Sequence, residues 1–491
     1  MTVTAASILD GGRRERLIVS AVAVALVLLR AIVPTVYEGF YFDSDQAIIG
    51  LMARHISNFE RFPLFYYGLN YILSVEAWII APFFWIARPS VAVMRIPLVA
   101  LNAAVAVWLI TELCRRLGVR PLWAFVAALP FIIPAPVVSS QLLETAGACI
   151  EPFVYVLLLW HLRQRPFAFG AVLSLAFLHR EFTIFALPAL LLVEAASGDL
   201  WARTNIRRAA WAAAGFGLVW LIVDDLKLRQ SGASLGLQAA SLAGQVCMAP
   251  GEWRGRAASV FTQALPVLFG GRSTRPLDFR MNSEVVGGYS IVGWVVALTL
   301  AAMTARLLVL WFRDRRFGVG DALGAYLALV GIFVASVYSL SCNVIPGQPP
   351  LLRYVLLGLF LPIGCFAAFI HREPSSGLRK LAAGVFLAWA AVNLVDNLRL
   401  LRASVNEPPS NEHRVLADYL VTHQIRYARA IYWDAYAIDF LARERVIVAS
   451  VDLIRIPDYQ RRVDENDANA FNLPRIPCAG DRVASWCIQR P

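Results

Sequence analysis

Long apolar runs, separated by short polar and basic stretches, recur along most of the chain. Each run approaches the roughly 20 residues that an α-helix needs to cross the hydrocarbon core of a bilayer. The pattern therefore predicts an all-α polytopic membrane bundle of about 11 transmembrane helices. The predicted spans are 17–36, 90–113, 121–138, 147–162, 167–178, 182–196, 208–226, 289–312, 321–340, 353–371 and 379–398.

Two neighbouring runs, 167–178 and 182–196, are short for a full crossing, and His179-Arg180-Glu181 lies between them. Irregular backbone and ionisable side chains at membrane depth are tolerated only inside protein or beside a cavity. We therefore predict a broken helical hairpin at this point. Two interpretations of the three ionisable residues stay open: a functional site, or an ion pair in which Arg180 and Glu181 neutralise one another.

Three segments are large enough to fold outside the bilayer, namely 37–89, 228–288 and 399–491. The segment 228–288 is rich in Gly and Arg and predicts an irregular loop crossed by a helix near 256–268. The first and second of these segments are loops of a membrane domain that we place at 1–398.

The tail, 399–491, is much richer in charged residues than the spans that precede it. Its periodicity predicts a helix at 413–423, then strands at 430–433 and 445–449 around a helix at 435–442. We interpret the tail as a small external α/β domain.

Composition and charge agree with a membrane protein: 58% of the 491 residues are hydrophobic and only 16% are charged. The formal net charge is +11, but the basic residues form short clusters between spans, which excludes nucleic-acid binding as their explanation. Assigning these clusters to the cytoplasm places the N-terminus inside and the C-terminus outside. The first span has no cleavage site after it and is interpreted as a retained anchor.

Cysteine placement is consistent with this orientation. Cys114 falls on the cytoplasmic side, and Cys149 and Cys365 fall within spans. An even number of external cysteines suits an oxidising compartment. Pairing cannot be read from sequence, but we predict two external disulfides, Cys478–Cys487 and Cys247–Cys342.

The segment 37–89 opens with two carboxylates. Asp43 can cap a helix whose third residue is Gln46. An apolar stripe follows at Ala47, Ile48, Leu51, Met52 and Ile56, so the helix is predicted to lie along the membrane surface, with Asp45 directed toward the protein body. The alternative is that both carboxylates are solvated and merely start the helix.

Short motifs in this segment and in a late span resemble those of a known family. Asp45-Gln46-Ala47 is similar to an Asp-Glu-Ala motif, with Gln in place of Glu. Residues 67–71 and 74–77 resemble a Tyr-Gly-Gln-x-Tyr…Leu-Glu-Ala segment, from which Leu69 and Val75 depart, and Arg353-Tyr354 resembles an Arg-Tyr-x-Leu-Pro element whose Pro here comes later. With the layout of spans, the chain resembles the GT-C glycosyltransferases, among them protein O-mannosyltransferases, lipid A aminoarabinose transferases and their bacterial relatives.

The resemblance implies an inverting transfer of a sugar from a polyprenyl-phosphate donor to a hydroxyl of a lipid, glycan or protein. The reaction would occur at the outer face of the bacterial inner membrane. It implies Asp45 as the general base, and Arg353, with Arg180 second, as the group that binds the departing phosphate. The other expected substrate-binding residues are Asp43, Tyr67, Tyr71, Glu76, Glu144, His179 and Tyr354.

Several of these residues also have simpler explanations. Asp43 suits a helix cap, Glu76 suits a helix start, and Arg353 suits an arginine that reaches the membrane interface. No Gly-rich phosphate loop or metal-ligand spacing occurs in the sequence, so we expect neither a cofactor nor a divalent metal. Two further functions stay open: a transporter or flippase of lipid-linked sugars without bond chemistry, and an inactive envelope scaffold.

Overall fold

The computed structural model describes most of the chain. The described residues are 5–69, 72–145, 149–197, 203–231, 235, 250–269, 291–314, 319–345, 350–475 and 481–490. Within them the membrane part consists of helices and short 3₁₀ turns. Its α-helices are α1 Ala5–Val36, α2 Ser44–Ser57, α3 Val75–Ile86, α4 Val91–Leu117, α5 Pro121–Ile132, α6 Pro136–Gln141, α7 Glu151–Leu162, α8 Pro166–His179, α9 Ala186–Ala196, α10 Arg203–Ser231, α11 Pro250–Ser259, α12 Leu265–Leu268, α13 Ile291–Asp314, α14 Val319–Tyr338, α15 Phe360–Arg372 and α16 Ser376–Asn406.

Six of these helices, α1, α4, α10, α13, α14 and α16, are long and apolar enough to cross a membrane, and several shorter apolar helices accompany them. Every predicted span overlaps a helix or 3₁₀ turn. The chain is thus a multi-pass helical membrane protein, and the predicted fold class is confirmed. The helix expected near 256–268 begins earlier, at Pro250, and contains a π turn at Val260–Ala264.

The predicted break between the two short apolar runs is also confirmed. Helix α8 ends at His179, Arg180 has extended backbone, and a 3₁₀ turn at Glu181–Phe185 leads into α9. The hydroxyl of Thr183 donates to the carbonyl of Arg180 at 2.7 Å, which satisfies one of the backbone groups that the break releases. The sequence predicted this break because charged residues interrupt two short apolar runs.

The start and end of α4 show how local sequence sets a span. Ser90 caps its first turn through the backbone N–H of Val93, at 3.4 Å. The helix ends at Leu117, and the next residue, Gly118, has a φ of 65°, the left-handed conformation that glycine adopts without strain. Arg115 and Arg116 occupy the last turn, where their positive charges interact favourably with the helix dipole.

The tail forms a small α/β layer. Its elements are α17 Glu412–Thr422, β1 Tyr427–Ala430, α18 Tyr432–Leu441, β2 Ile447–Ser450, α19 Pro457–Asp464, β3 Phe471–Asn472, β4 Asp481–Val483 and β5 Trp486–Ile488. The sheet order is β2-β1-β3 with parallel pairing, and Tyr427 lies opposite Ile447. Parallel neighbours need a crossover, which α18 provides, while β4 and β5 form an antiparallel hairpin.

The strand predicted at 430–433 is wrong. The first strand ends at Ala430, and Tyr432 already begins α18. The reason is a distant cap, because the carboxylate of Asp452 accepts the backbone N–H of Tyr432 at 2.7 Å. This tertiary contact overrides the strand preference of the aromatic residues.

The two largest hydrophobic cores of the described residues lie in different parts of the molecule. One lies inside the helical bundle, where Phe131, Phe153 and Phe360 pack ring to ring at 5.0–5.1 Å. The other joins α2 and α3 to the tail. Helix α2 is buried beyond its predicted apolar stripe: Gln46 and Ser57, which are not members of that stripe, are buried as well.

The outward surface beside α3 carries exposed aromatic side chains. Phe59 stacks on Trp85 at 5.8 Å, and Phe62 stacks on Trp78 at 6.0 Å between ring centroids. Both indole N–H groups donate to backbone carbonyls, so the apolar ring faces stay exposed while the polar atoms are satisfied. Such aromatic residues are typical of membrane–water interfaces.

The cysteines agree in part with expectation. Cys342 and Cys487 are disulfide-bonded, whereas Cys114, Cys149 and Cys365 are free and buried. The predicted partners, Cys247 and Cys478, lie outside the described residues, so the pairing stays a prediction.

Candidate active site

Asp43 is the cap of α2. Its carboxylate accepts the backbone N–H of Gln46 at 3.0 Å and the hydroxyl of Tyr41 at 3.1 Å. Burial, and then the neighbouring charge of Asp45, raises the pKa of Asp43 above its usual value. The carboxylate thus has a structural role that starts the helix.

Asp45, the second residue of α2, has a different set of contacts. Its Oδ1 accepts a hydrogen bond from the hydroxyl of Tyr432, which belongs to the tail. Its Oδ2 lies 3.7 Å from Nη1 of Arg353. The backbone carbonyl of Asp45 accepts the hydroxyl of Tyr66 at 2.9 Å. The side chain is 23% exposed, so the carboxylate is held by protein yet reachable.

Arg353 lies in a 3₁₀ turn, Leu352–Tyr354, just before α15. Its guanidinium lies 5.5 Å from the ring centroid of Tyr354, and that ring stacks on Tyr338 at 6.1 Å. The Nε of Arg353 is buried and has no hydrogen-bond partner in the described part of the chain. A partly exposed guanidinium with an unused donor beside a carboxylate suits the binding of an anion.

Arg95, on α4, is a site residue that the sequence did not reveal. It is buried, and its guanidinium donates to the backbone carbonyls of Pro34, Phe40 and Tyr41 and to Oε1 of Gln46 at 2.9 Å. These bonds fix the connection between α1 and α2. Apart from its charge, nothing in the sequence marks Arg95 as a site residue, because its partners are mostly backbone oxygens.

Glu144 adds a third carboxylate to this site. It is 3% exposed, and its Oε2 lacks a hydrogen-bond partner within the described residues. It lies within electrostatic range of Asp43, Asp45, Arg353 and Arg95. Three carboxylates and two guanidinium groups are therefore near enough to interact electrostatically where the sequence expected the substrate.

A second buried polar group lies at the break between α8 and α9. Its members are Glu76, Glu151, Tyr155, His179 and Arg180. Tyr155 and His179 are hydrogen-bonded at 3.0 Å, and the carboxyl groups of Glu76 and Glu151 are adjacent. Cys149 lies within electrostatic range of this group and of Glu144, so the two groups are neighbours. Glu76, only 1% exposed, has an environment very unlike an ordinary helix start.

Tyr67 has other partners. Its hydroxyl bonds Nδ1 of His55 at 2.9 Å, and Nε2 of His55 contacts Glu444 of the tail at 3.0 Å. Tyr67 therefore belongs to a network that docks the tail. Tyr71 lies outside the described residues. A substrate-binding role for either tyrosine stays a prediction.

Metal ligation has no structural support in the described ranges, where no group of three or more His, Cys, Asp or Glu side chains is arranged to hold an ion. The expectation of metal-free chemistry remains a prediction.

Comparison with known proteins gives a structural match only. No family model matches the sequence, and no curated protein matches it. The fold is similar to the crystal structure of ArnT from Cupriavidus metallidurans bound to undecaprenyl phosphate, with a TM-score of 0.60 and 13% identity. The similarity covers 92% of this chain and 93% of that chain, and it confirms the predicted GT-C-like fold.

Proposed function

We propose that this protein is an inverting glycosyltransferase that moves a sugar from a polyprenyl-phosphate donor to a hydroxyl acceptor. The observation that carries the proposal is the meeting of Asp45 and Arg353. These residues are far apart in sequence, yet Oδ2 and Nη1 lie 3.7 Å apart. One supplies a base and the other a phosphate-binding cation.

The geometry suits the chemistry of a phosphosugar. The anomeric carbon is separated from the phosphorus by a single bridging oxygen. A phosphate bound by Arg353 therefore brings the anomeric carbon within a few Å of Asp45. The acceptor oxygen forms the new bond to that carbon as its proton passes to Asp45.

As that bond forms, the bond from the anomeric carbon to the bridging oxygen breaks on the opposite face, and its electron pair leaves with the polyprenyl phosphate. Arg353 stabilises that negative charge. Phosphate is a good leaving group, so a second carboxylic acid to protonate it is unnecessary. This single-base scheme differs from glycosidases, in which two carboxyl groups flank the bond.

The membrane setting supports a lipid-linked donor. The fold is similar to that of ArnT, which was solved bound to undecaprenyl phosphate. By the positive-inside assignment, Asp45, Arg353 and the tail lie at the outer face of the inner membrane, with the N-terminus in the cytoplasm. A donor carried by a polyprenyl chain reaches such a site from within the bilayer.

The test is release of polyprenyl phosphate by the purified protein, supplied with synthetic polyprenyl-phosphate sugars and an envelope extract as acceptor. We expect Asp45→Asn to lower the rate by at least about 100-fold, as removal of a general base does. Asp418→Asn, at an exposed position of α17, is the matched control and should keep wild-type activity.

Arg353→Ala should lower the rate and weaken retention of polyprenyl phosphate. A wild-type protein that binds the donor without releasing polyprenyl phosphate would instead support the transporter, and an Asp45→Asn variant with full activity would exclude Asp45 as base.

A further inference from the structure

The tail contributes a side chain to the proposed catalytic site. Tyr432, the first residue of α18, donates its hydroxyl to Oδ1 of Asp45, although 387 positions separate the two. Both residues lie outside the predicted spans. The contact therefore links the folding of the tail to the chemistry of the membrane domain.

The tail fixes the position of this tyrosine from several sides. The carboxylate of Asp452 caps its backbone N–H at 2.7 Å. Its ring is 3% exposed and packs on Tyr436 at 5.6 Å between centroids. The guanidinium of Arg455 lies 5.6 Å from its ring centroid and donates to the carbonyl of Gly68 at 3.0 Å. Few alternative positions are left for the hydroxyl.

The hydroxyl of Tyr432 keeps its proton and therefore remains a hydrogen-bond donor. Burial, and then the charge of Asp45, raises the pKa of Tyr432 above its usual value, so the phenol stays protonated at neutral pH. Oδ1 of Asp45 therefore accepts the hydrogen bond of the Tyr432 hydroxyl. Oδ2 has the ion pair with Arg353 and no hydrogen bond from any described residue.

We propose that Tyr432 is a positioning residue of the transferase: its hydroxyl orients the Asp45 carboxylate so that Oδ2 takes the proton of the acceptor. This inference rests on the proposed function. It makes the tail a component of the active site, since the base is oriented only while the start of α18 is docked on α2.

The pH dependence of the rate should reveal this role. A hydrogen bond to an ionised carboxylate favours the ionised form, so loss of the donor makes the carboxylate easier to protonate. The other titratable and charged groups that face Asp45 or its partner are Asp43, Tyr66, Glu144, Arg353 and Arg455. All of them are unchanged in a Tyr432→Phe variant.

The experiment is a pH–rate profile of purified full-length wild type, Tyr432→Phe and Tyr427→Phe. We expect Tyr432→Phe to lower kcat about 10-fold and to move the acid limb up by about one pH unit, the size of one charge-assisted hydrogen bond. The KM for the donor should stay unchanged, because Arg353 is untouched. Tyr427 lies on β1 of the same tail, and its hydroxyl has no hydrogen bond within the described residues, so Tyr427→Phe should match wild type.

A second variant separates positioning from general damage. Asp452→Ala removes the cap of Tyr432 without touching Asp45. It should lower kcat in the wild-type background and have little further effect in Tyr432→Phe.

The outcomes are distinct from those of the proposed function. An active wild type that needs Asp45, with a Tyr432→Phe variant whose kcat and acid limb equal the wild type, overturns this inference alone. An inactive wild type overturns the proposed function.

Discussion

At the scale of residues, two arginines beside the same acidic segment have different hydrogen bonding. Arg95 is buried, and both of its terminal nitrogens donate to protein oxygens around the start of α2. Arg353 is partly exposed, and its Nε has no partner among the described residues. The first therefore stabilises the site, whereas the second retains capacity to bind a ligand.

Replacement of Arg95 by Met tests whether its hydrogen bonds stabilise the site. Met keeps much of the apolar volume but removes the guanidinium bonds to three backbone carbonyls and to Gln46; the carbonyl of Tyr41 keeps its bond from the side-chain amide of Gln46. We expect a loss of roughly 3 kcal/mol in stability, the upper range for stranded buried polar groups, together with loss of activity. Thermal unfolding in detergent micelles measures the first effect.

Arg88→Met, at an exposed position just before α4, is the control and should unfold like the wild type. An Arg95→Met protein with unchanged thermal stability would show that the guanidinium bonds contribute little.

The sequence pointed to the proposed base and the proposed phosphate-binding cation more readily than to the residues that hold them in place. Asp45 and Arg353 stood out because short motifs around them resemble a known family. Arg95 and Tyr66 did not, since both bind backbone carbonyls, which carry no sequence signal. Tyr432 was equally hidden, because nothing local relates it to a carboxylate 387 positions away.

At the scale of elements, the position of Asp45 depends on how closely α2 approaches its neighbours. Gly50, five residues after Asp45, faces the ring of Phe440 on α18 and the sulfur of Met94 on α4. A Cβ at this glycine would lie 2.5 Å from the ring and 2.8 Å from the sulfur. Real Cβ atoms do not approach so closely, so these helices meet only because residue 50 lacks a side chain.

Gly50→Ala should therefore push α2 away from α18. We expect a loss of about 1–3 kcal/mol, as for other overpacked cores, and a lower kcat because Asp45 moves relative to Tyr432 and Arg353. Thermal unfolding and the polyprenyl phosphate release assay measure the two effects.

The control is Gly384→Ala, inside α16, where no atom lies within 4 Å of an added Cβ. There alanine should leave stability unchanged or raise it by up to about 1 kcal/mol, because it favours helix over glycine. If Gly50→Ala behaved in the same way, the close packing of α2 would not constrain the site.

The helices and strands show which features of the fold can be predicted from local sequence patterns. The spans were predictable because the apolar length that a bilayer requires is a property of the local sequence. The break at Arg180 was predictable for the same reason. The start of α18 was not, since it depends on a cap from Asp452. The burial of Gln46 was equally hidden, because its side chain is bonded to Arg95 of α4 and to the backbone carbonyl of Tyr41.

At the scale of the whole molecule, ionic contacts hold the tail on the membrane part. Arg414 binds Glu38 through two bonds of 2.7 and 2.8 Å. Glu444 contacts Arg54 and His55 of α2, and also accepts the hydroxyl of Tyr459 at 2.5 Å. Only Tyr459 of these partners belongs to the tail, so the Glu444 contacts join the two parts of the protein.

The ionisation of Glu444 links this docking to pH. Burial alone would raise its pKa, but the hydrogen bond and charge of His55, the Tyr459 hydrogen bond and the charge of Arg54 together lower the pKa of Glu444 to about 2. An unfolded glutamate titrates near 4.5. The ionised contact therefore adds stability that is fully present above about pH 4.5 and is lost as the pH falls toward 2.

Glu444→Gln should lower the thermal stability of the purified protein at pH 7, with a loss of about 3 kcal/mol expected from the pKa difference. The difference between variant and wild type should shrink as the pH falls from 5 to 3, because protonation removes the same charge from the wild type. Glu465→Gln, at an exposed position after α19, should track the wild type at every pH. A Glu444→Gln protein whose deficit did not change with pH would mean that packing, and not the charge, docks the tail that brings Tyr432 to Asp45.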